Sequence, residues 1–486
     1  MIIFIYILSN KKMNLLIKIC IFCFCFTIIL ASESQDDLNK NEANQEPKQN
    51  KIELSLKDCL IKGLNNAPNI KASQLTTEYY REKLKEAQAT SIFPVLNIRN
   101  YIGPVPQARG NALYSPDSGI SWEDLTINLG FFERIELEAL QPIYTFGKIG
   151  KIFDIAKEGI KASKYQEVGE KLNTVINIKK LFYAIQTAYE FEDLVKETYE
   201  NYDRAYSKAD EMYRSGKGKV SNLDMQKLKI FKLEVDKQQC RLVKELDIAI
   251  SALKLLLDIA PEFEVKIIPE DFKDKTYILQ PKNFFINTAS ENNFDLKSLA
   301  SVVEIKKLLW EREKSNYYPD IFILGGFKFG IAPNREDQTN PFVRDDFNLI
   351  EGGFALGVSQ ALNFWKTNKK VRAAKIEYEK VIQQEKYAKM GINVLISQLY
   401  NQTDEAINKI EISKKSIKYS RTLLYQSVSA FESGFIDVSA KDLTDAYLIY
   451  SKAKTDFYTS LFAYDHSLAQ LYKNSGMEEE LMKSIK

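Results

Sequence analysis

Histidine is almost missing from this chain, since His466 is the single one among 486 residues. Histidine is the usual proton-transfer group near neutral pH and a frequent zinc ligand, so histidine-based catalysis and His-rich metal sites are disfavoured. We interpret His466 as a solvated or packed helical side chain. A strong charge of one sign is also missing, because 67 basic and 65 acidic residues leave a formal charge of +2. No concentrated basic face is evident, which argues against a nucleic-acid partner.

Cysteine is scarce as well, and three of the five cysteines lie in the N-terminal segment. This segment has basic residues at positions 11, 12 and 18, an apolar run from 19 to 30, and then small residues. That order predicts a secretory signal peptide over residues 1–32, with Met13 as an alternative start. The apolar run is shorter than the ~20 residues that span a bilayer, which favours cleavage over an uncleaved anchor. Residues 33–50 are almost entirely polar and are predicted to be disordered.

Only Cys59 and Cys240 lie beyond the predicted signal peptide. Two cysteines in so long a chain do not make a disulfide scaffold, and both occur in helical patterns. We therefore predict two buried free thiols.

The chain contains the same turn motif twice. "YRSGKGKVSNLD", which ends at Asp224, and "FESGFIDVSAKD", which ends at Asp442, share an aromatic residue, a Ser-Gly pair, a Val-Ser pair and an Asp at the same offsets, 218 positions apart. The flanking patterns also repeat in the order helix, strand, loop, strand, long helix, turn, helix. An internal duplication is therefore predicted, with repeats over residues 51–260 and 284–474, a connector over 261–283 and a polar tail over 475–486.

Both long helical patterns carry apolar and small residues in alternating steps of three and four, which predicts supercoiled helix packing. In the first repeat, one column runs through Leu181, Ala188, Val195, Tyr202 and Ala209, and its neighbour through Ile178, Ile185, Glu192, Tyr199, Tyr206 and Tyr213. The second repeat carries the equivalent columns 218 positions later. At 1.5 Å per residue, a helix over residues 147–213 is roughly 100 Å long, and helices over 53–92 and 220–258 are roughly 60 Å each.

Each repeat also contains two strand patterns, such as the alternating apolar residues between Leu125 and Phe131. Their lengths of about 9–12 residues match a tilted transmembrane strand. Four strands cannot close a barrel, and an open sheet edge is not tolerated in lipid. Several chains must then share one barrel, and three chains give twelve strands. The alternative is a small soluble sheet that caps a coiled coil.

Over residues 52–474 the chain resembles the TolC-like outer-membrane channels of tripartite efflux and type I secretion systems. The resemblance rests on "LSLKDCLIKGLNNAPNIKAS", "QPIYTFGKIGKIFDIAKEG", "LLDIAPEF" and the two Gly-to-Asp turns. It implies a mixed, mainly α-helical fold in which a homotrimer shares a twelve-stranded outer-membrane barrel above a periplasmic helical tunnel. It also implies a passive exit duct without cofactor or catalysis, served by a periplasmic adaptor protein and an inner-membrane pump.

The same resemblance places the two repeated turns at the periplasmic tip, where the adaptor docks. The matching residues are Gly216, Gly218, Ser221 and Asp224 in the first turn and Gly434 and Ser439 in the second. Asp442 and Asp445, three residues apart on one helical face, resemble the family's constricting carboxylate ring. Because the turn is longer here than in the best-known members, Asp437 is an alternative lumen-facing acid. Capping of the returning helices is an equally supported role for Asp224 and Asp442.

Two other classes of function are alternatives to the exit duct. A periplasmic coiled-coil adaptor or scaffold that does not enter the membrane is the alternative, but the matching strand pairs in both repeats argue against it. An enzyme is the least supported class, because no metal-ligand cluster, phosphate loop or nucleophile motif is evident. The "GKGK" segment lacks the Ser or Thr of a phosphate-binding lysine loop.

Overall fold

The computed structural model describes residues 51–106, 112–115, 119–122, 129–215, 220–270, 277–333, 345–433 and 439–483. The helices are α1 (Leu56–Asn66), α2 (Pro68–Ile92), α3 (Lys148–Ser215), α4 (Asn222–Leu257), α5 (Lys282–Asn292), α6 (Phe294–Ser315), α7 (Phe364–Glu432), α8 (Ala440–Asn474) and α9 (Glu478–Met482). The strands are β1 (Lys51–Leu54), β2 (Val95–Pro106), β3 (Ala112–Ser115), β4 (Gly119–Trp122), β5 (Leu129–Tyr144), β6 (Glu264–Ile267), β7 (Asp320–Ile331) and β8 (Leu349–Ser359).

The four long strands form one antiparallel sheet in the order β2–β5–β7–β8. The four predicted long strands are therefore confirmed. Two short pairs were not predicted: β1 pairs in parallel with β6, and β3 forms a hairpin with β4. Each of these strands has four residues, which is too short for an alternating pattern to stand out from the loop and connector composition around it. Of the alternating residues expected before β5, Leu125 and Ile127 lie outside the described residues.

The two faces of the four-stranded sheet differ in chemistry, because side chains alternate between faces along each strand. The register places Ile98, Leu137, Phe327 and Gly352 in one cross-strand row, and Leu96, Ala139, Gly325 and Phe354 in the next. Rows of this face are mostly apolar. The intervening rows on the opposite face carry most of the charged residues of the sheet.

The two long helices, α3 and α7, contain 68 and 69 residues. Each is about 100 Å long at 1.5 Å per residue, as the sequence predicts. The shorter helices α4 and α8 contain 36 and 35 residues and follow directly after the two repeated turns. The chain therefore has two long helical hairpins, α3–α4 and α7–α8.

The single helix predicted over residues 53–92 is wrong, because the structure divides it into α1 and α2. Ala67 lies between them with φ −52° and ψ 124°, which is not helical. Pro68 follows as the first residue of α2. A proline clashes with helical geometry at the preceding residue and is well accommodated at a helix start, so this break is a local consequence of the sequence.

The heptad columns predicted for α7 match the buried face of that helix. Its buried residues on these columns are Ile396, Leu399, Thr403, Ala406, Ile410, Ser413, Ser420, Leu424 and Phe431. The two remaining members, Ile417 and Ser427, are half-buried. The sustained steps of three and four show that α7 faces its neighbours along one continuous stripe.

The second column predicted for α3 is partly wrong. Ile178 and Ile185 are buried, but Glu192 and Tyr213 are exposed. In the later part of α3 the buried face is set by the core that α3 shares with α4, α7 and α8, and the buried positions there include Ala205.

The largest core lies around the middle of α3, where α1, the end of α4 and the paired strands β1 and β6 pack together. It includes the fully buried residues Cys59, Phe182 and Leu257. Cys59 is a buried free thiol as predicted, and burial raises its pKa to about 12. Cys240 is also free but exposed on α4, so the prediction that it is buried is wrong. The helical pattern around Cys240 is confirmed, but the residue lies on the solvent-facing side of α4.

Candidate functional site

The two repeated turns deliver the chain into α4 and α8 through the same local structure, a capping box. In the first turn, Asp224 Oδ2 accepts hydrogen bonds from Ser221 N at 3.1 Å and Ser221 Oγ at 2.7 Å, and Asp224 N donates to Ser221 Oγ at 3.2 Å. In the second turn, the equivalent distances between Asp442 and Ser439 are 2.8, 2.6 and 3.3 Å. Each box satisfies backbone N–H groups that a helix start would otherwise leave without partners.

The structure places the two repeated turns at the same end of the packed helices α3, α4, α7 and α8. A single hydrophobic core next to them contains Ala209 of α3, Met225 of α4, Phe431 of α7 and Leu443 of α8. The rings of Phe231 and Tyr447 lie 6.1 Å apart and join α4 to α8. Residues that are 218 positions apart in sequence therefore form one paired surface.

Four of the predicted tip residues lie outside the described residues: Gly216, Gly218, Gly434 and Asp437. Their assignment to the tip stays a prediction. The described members of the predicted site are Ser221, Asp224, Ser439, Asp442 and Asp445.

The first turn pairs its acid with a base. Lys227 Nζ lies 3.3 Å from Asp224 Oδ1. Partial burial of Asp224 acts to raise its pKa, but the hydrogen bonds from Ser221 and the contact with Lys227 outweigh it, so the pKa lies below the ordinary value. The capped start of α4 therefore carries a carboxylate whose negative charge is balanced by Lys227.

The second turn differs at one equivalent position. Lys227 plus the repeat offset is Asp445, so an acid replaces the base, and Asp445 is exposed close to the exposed Asp442. The pKa of Asp442 lies below its ordinary value, chiefly because of the hydrogen bonds from the Ser439 side chain and backbone, with a smaller contribution from Lys441. Among the described residues, the second turn therefore presents two acids and one lysine, and the first turn an acid paired with a lysine.

A second group of charged residues lies on the polar face of the sheet, and sequence reasoning missed it. The register places Arg99, Glu136, Lys328 and Glu351 side by side, one on each of the strands β2, β5, β7 and β8. The segment "RIELEAL" in β5, where charged and apolar residues alternate, is the signal that would have located it.

Within the described ranges, no group of three or more His, Cys, Asp or Glu side chains is placed to hold a metal ion. His466 is half-buried in α8 and its ring stacks on Phe462 with centroids 6.1 Å apart. Burial lowers the pKa of His466, and the charge of Lys180 lowers it further. Its surroundings are those of a packed helical side chain.

Searched over the part of the chain that is described, no helix has both the length and the apolar character needed to cross a bilayer.

Comparison with known proteins identifies the fold. No protein-family model matches the chain, and no curated protein matches its sequence. Among solved structures, the chain is similar to the Campylobacter jejuni CmeC outer membrane channel, with a TM-score of 0.69 and 15% identity over 92% of this chain and 97% of that one. It is also similar to the Vibrio cholerae outer membrane protein VceC (TM-score 0.66, 12% identity, 87% of this chain and 96% of that one).

A third similar structure is the open state of the Neisseria gonorrhoeae MtrE outer membrane channel, with a TM-score of 0.63 and 15% identity over 87% of this chain and 88% of that one. The chain therefore has the fold of these outer-membrane channel proteins. The resemblance to the TolC-like channels, which the sequence motifs indicated, is confirmed at the level of the fold.

Proposed function

We propose that this chain is the outer-membrane exit duct of a tripartite efflux or type I secretion system. In this proposal three copies share one twelve-stranded barrel in the outer membrane, and their long helices form a tunnel through the periplasm. The observation that carries the proposal is the four-stranded sheet, which has an exposed apolar face and two open edges.

The apolar face of the sheet is suited to lipid rather than to water. On the edge strand β8, Ile350 is 74% exposed, Phe354 88%, Leu356 72% and Val358 66%. On the other edge strand, β2, Leu96 is 63% and Ile98 72% exposed. A contiguous exposed apolar surface of this kind is unusual on a soluble monomer and marks a membrane or protein contact.

The two open edges require further strands. Among the described strands, β2 and β8 each have one sheet neighbour, and unpaired backbone groups cost several kcal/mol each in hydrocarbon. Pairing β8 of one copy with β2 of the next removes every edge when three copies close a ring. An even number of antiparallel strands results, as in bacterial outer-membrane barrels.

The helices support the same assembly. Exposed apolar side chains also occur along α4 and α7, including Leu223 at 72%, Ile230 at 65% and Tyr419 at 71%. In a trimer of parallel copies these positions face neighbouring helices, which adds helix contacts to the shared barrel.

In the proposed duct the chain performs no chemistry and needs no cofactor. An inner-membrane pump supplies the energy, and a periplasmic adaptor docks at the paired turns that begin α4 and α8. The chain is then located in the outer membrane with its helical part in the periplasm. The exposed, paired arrangement of the two capped turns supports this docking position.

We further propose that Asp442 and Asp445 line the narrow end of the tunnel. Replacing either with Ala should raise single-channel conductance and weaken cation preference, because each change removes three carboxylates from a trimer. Ser439→Ala is the control, since it removes the capping hydroxyl at a cost of about 1 kcal/mol and keeps every charge. If Ser439→Ala changes conductance as much as Asp445→Ala does, the charges do not set the constriction.

The test of the duct itself is the mass of the protein extracted by detergent from outer membranes, followed by channel recordings in planar bilayers. A species of three times the mass of the mature chain that forms channels is expected. A soluble periplasmic monomer or dimer would instead make the sheet a cap on a coiled coil, and the scaffold alternative would replace the duct.

A further inference from the structure

The charged residues on the polar face of the sheet form an ordered row. We use the name charge row for Arg99, Glu136, Lys328 and Glu351. Each is the cross-strand partner of the next in the register of the sheet. The signs alternate from the β2 edge to the β8 edge, and the four formal charges sum to zero.

Direct ion pairs join the β2 and β5 members of the row to each other and to charged residues of the adjacent rows. Arg99 Nη1 lies 3.6 Å from Glu136 Oε2, and Arg99 Nη2 lies 2.6 Å from an oxygen of Glu138, one row along the strand. Arg134 Nε lies 3.2 Å from Glu136 Oε1. The Glu136 side chain is only 10% exposed as a result, so the most central carboxylate is the most enclosed.

These residues lie opposite the apolar face. In β5 the neighbours of Glu136 along the chain, Ile135 and Leu137, point the other way and share rows with Phe329 and Phe327. If the apolar face contacts lipid, the charge row faces the interior of the barrel, because successive side chains of a strand alternate between faces.

The space beside the row is open. The next polar-face row toward the helices contains Gly326 on β7 and Gly353 on β8, which are cross-strand partners. A Cβ atom added at either glycine would meet no atom within 4 Å. No side chain from these two positions covers Lys328 or Glu351, and Glu351 is exposed while Lys328 is half-buried.

We infer that the charge row balances the charge of the barrel interior, and that Arg99 and Lys328 are the residues that keep this part of the duct from selecting cations. The inference rests on the proposed function, since it needs a water-filled barrel. Three copies contribute six cations and six carboxylates at this level. The acids of the periplasmic tip then determine whether the duct selects cations over anions.

The expected effect of removing one cation can be given in order of magnitude. Each change leaves three carboxylates per trimer without compensation at one level of the lumen. A change in lumen potential of only half of kT/e alters the cation-to-anion permeability ratio by about threefold. Because the Debye length is about 10 Å at 0.1 M salt and 3 Å at 1 M, the effect should be clear at 0.1 M and largely absent at 1 M.

The experiment is the reversal potential of purified channels in planar bilayers under a KCl gradient. Arg99→Gln and Lys328→Gln should each increase the potassium-to-chloride permeability ratio about threefold at 0.1 M, and Glu351→Gln should lower it by a similar factor. Arg99→Lys keeps the charge and should behave as the unaltered protein.

Glu133→Gln is the matched control, because Glu133 lies on the apolar face of β5, in one row with Ile102 and Ile331. The same loss of charge there should leave the reversal potential unchanged. The double variant Lys328→Gln/Glu351→Gln should restore the unaltered ratio.

The possible outcomes distinguish a failure of the charge row from a failure of the duct. Channels that form normally but show the same reversal potential in all variants would overturn the role of the charge row and leave the duct intact. A protein that forms no channel in any version would overturn the duct, and the inference with it.

Discussion

The alternation of faces in β8 leads to a sharp test with two adjacent residues. Phe354 is the middle residue of the eleven in β8 and lies on the apolar face at 88% exposure. Ala355 follows it, points to the opposite face and is the cross-strand partner of Leu324. We predict that Phe354→Arg prevents assembly in the membrane and that Ala355→Arg is tolerated.

The magnitude follows from the position of Phe354 in the strand. Burial of a phenylalanine in an apolar environment stabilises by about 1.5–3 kcal/mol. An arginine on the lipid face near the bilayer centre costs about 2–4 kcal/mol. The combined loss is about 3.5–7 kcal/mol per chain, or about 10–20 kcal/mol for three copies, which is comparable with the whole stability of a typical domain. In Ala355→Arg the new side chain reaches water in the lumen. Neither the loss of phenylalanine burial nor the cost of an arginine in lipid then applies.

The assay is the yield of detergent-resistant trimer in isolated outer membranes, with total protein measured in parallel. Phe354→Arg should abolish the trimer, and Ala355→Arg should leave most of it. Equal yields for the two variants would show that the apolar face of the sheet does not contact lipid. A chain that stays soluble in the periplasm when unaltered would contradict the whole assignment.

Two further predictions concern the helix ends. The pKa of Asp442 is held below its ordinary value by the hydrogen bonds from Ser439. Its contribution to stability is therefore complete above about pH 4, the ordinary pKa of Asp, and is lost as pH falls through the folded value. Protection from hydrogen exchange in the first turn of α8 should be constant between pH 5 and 8 and fall below pH 4; a decline beginning at pH 6 would refute this. Gly476 has φ +72°, and a Cβ there would lie 2.4 Å from the backbone of Asn292, whereas Gly147 has φ +87° and no atom nearer than 4.0 Å. Gly147→Ala should cost about 1–2 kcal/mol of backbone strain and Gly476→Ala clearly more, so equal midpoints in thermal unfolding would contradict the packing argument.

Much of the helical architecture could be predicted because the sequence repeats its periodicity over long stretches. In α7 the steps of three and four continue from Ile396 to Phe431, and a pattern of this length arises only in a helix with a continuous packed face. The predicted ends of α4, at residues 220 and 258, differ by at most two residues from the observed Asn222–Leu257. A capping box marks a helix start locally, so the start of α4 needs no tertiary information.

The features that were missed depend on contacts between distant segments. β1 and β6 are four residues each and are separated by most of the first repeat, so neither has a recognisable pattern without its partner. Whether Cys240 faces solvent depends on which side of α4 packs against α3. The charge row exists only when four strands are in register, although the alternation around Glu136 shows in β5 alone.

Part of the candidate site could be predicted from the sequence because the two repeats can be compared position by position. Ser221 with Asp224 and Ser439 with Asp442 are identical pairs, and both form the same hydrogen bonds. The comparison at the next turn of the helix, Lys227 against Asp445, is equally visible in the sequence. Its meaning depends on the structure, which shows Lys227 paired with Asp224.

This difference between the repeats explains how one motif can serve two purposes. A capping box depends on the short distances between a serine and an aspartate, so both turns need the same two residues in order to start a helix. The residue three positions further on takes no part in the cap, and its charge is free to differ. In a trimer the six turns would alternate between a compensated pair and an acidic pair. All six helices would then start with the same cap. Among the described residues, the uncompensated negative charge would come from the second turn, and the conductance test therefore addresses Asp442 and Asp445 and not Asp224.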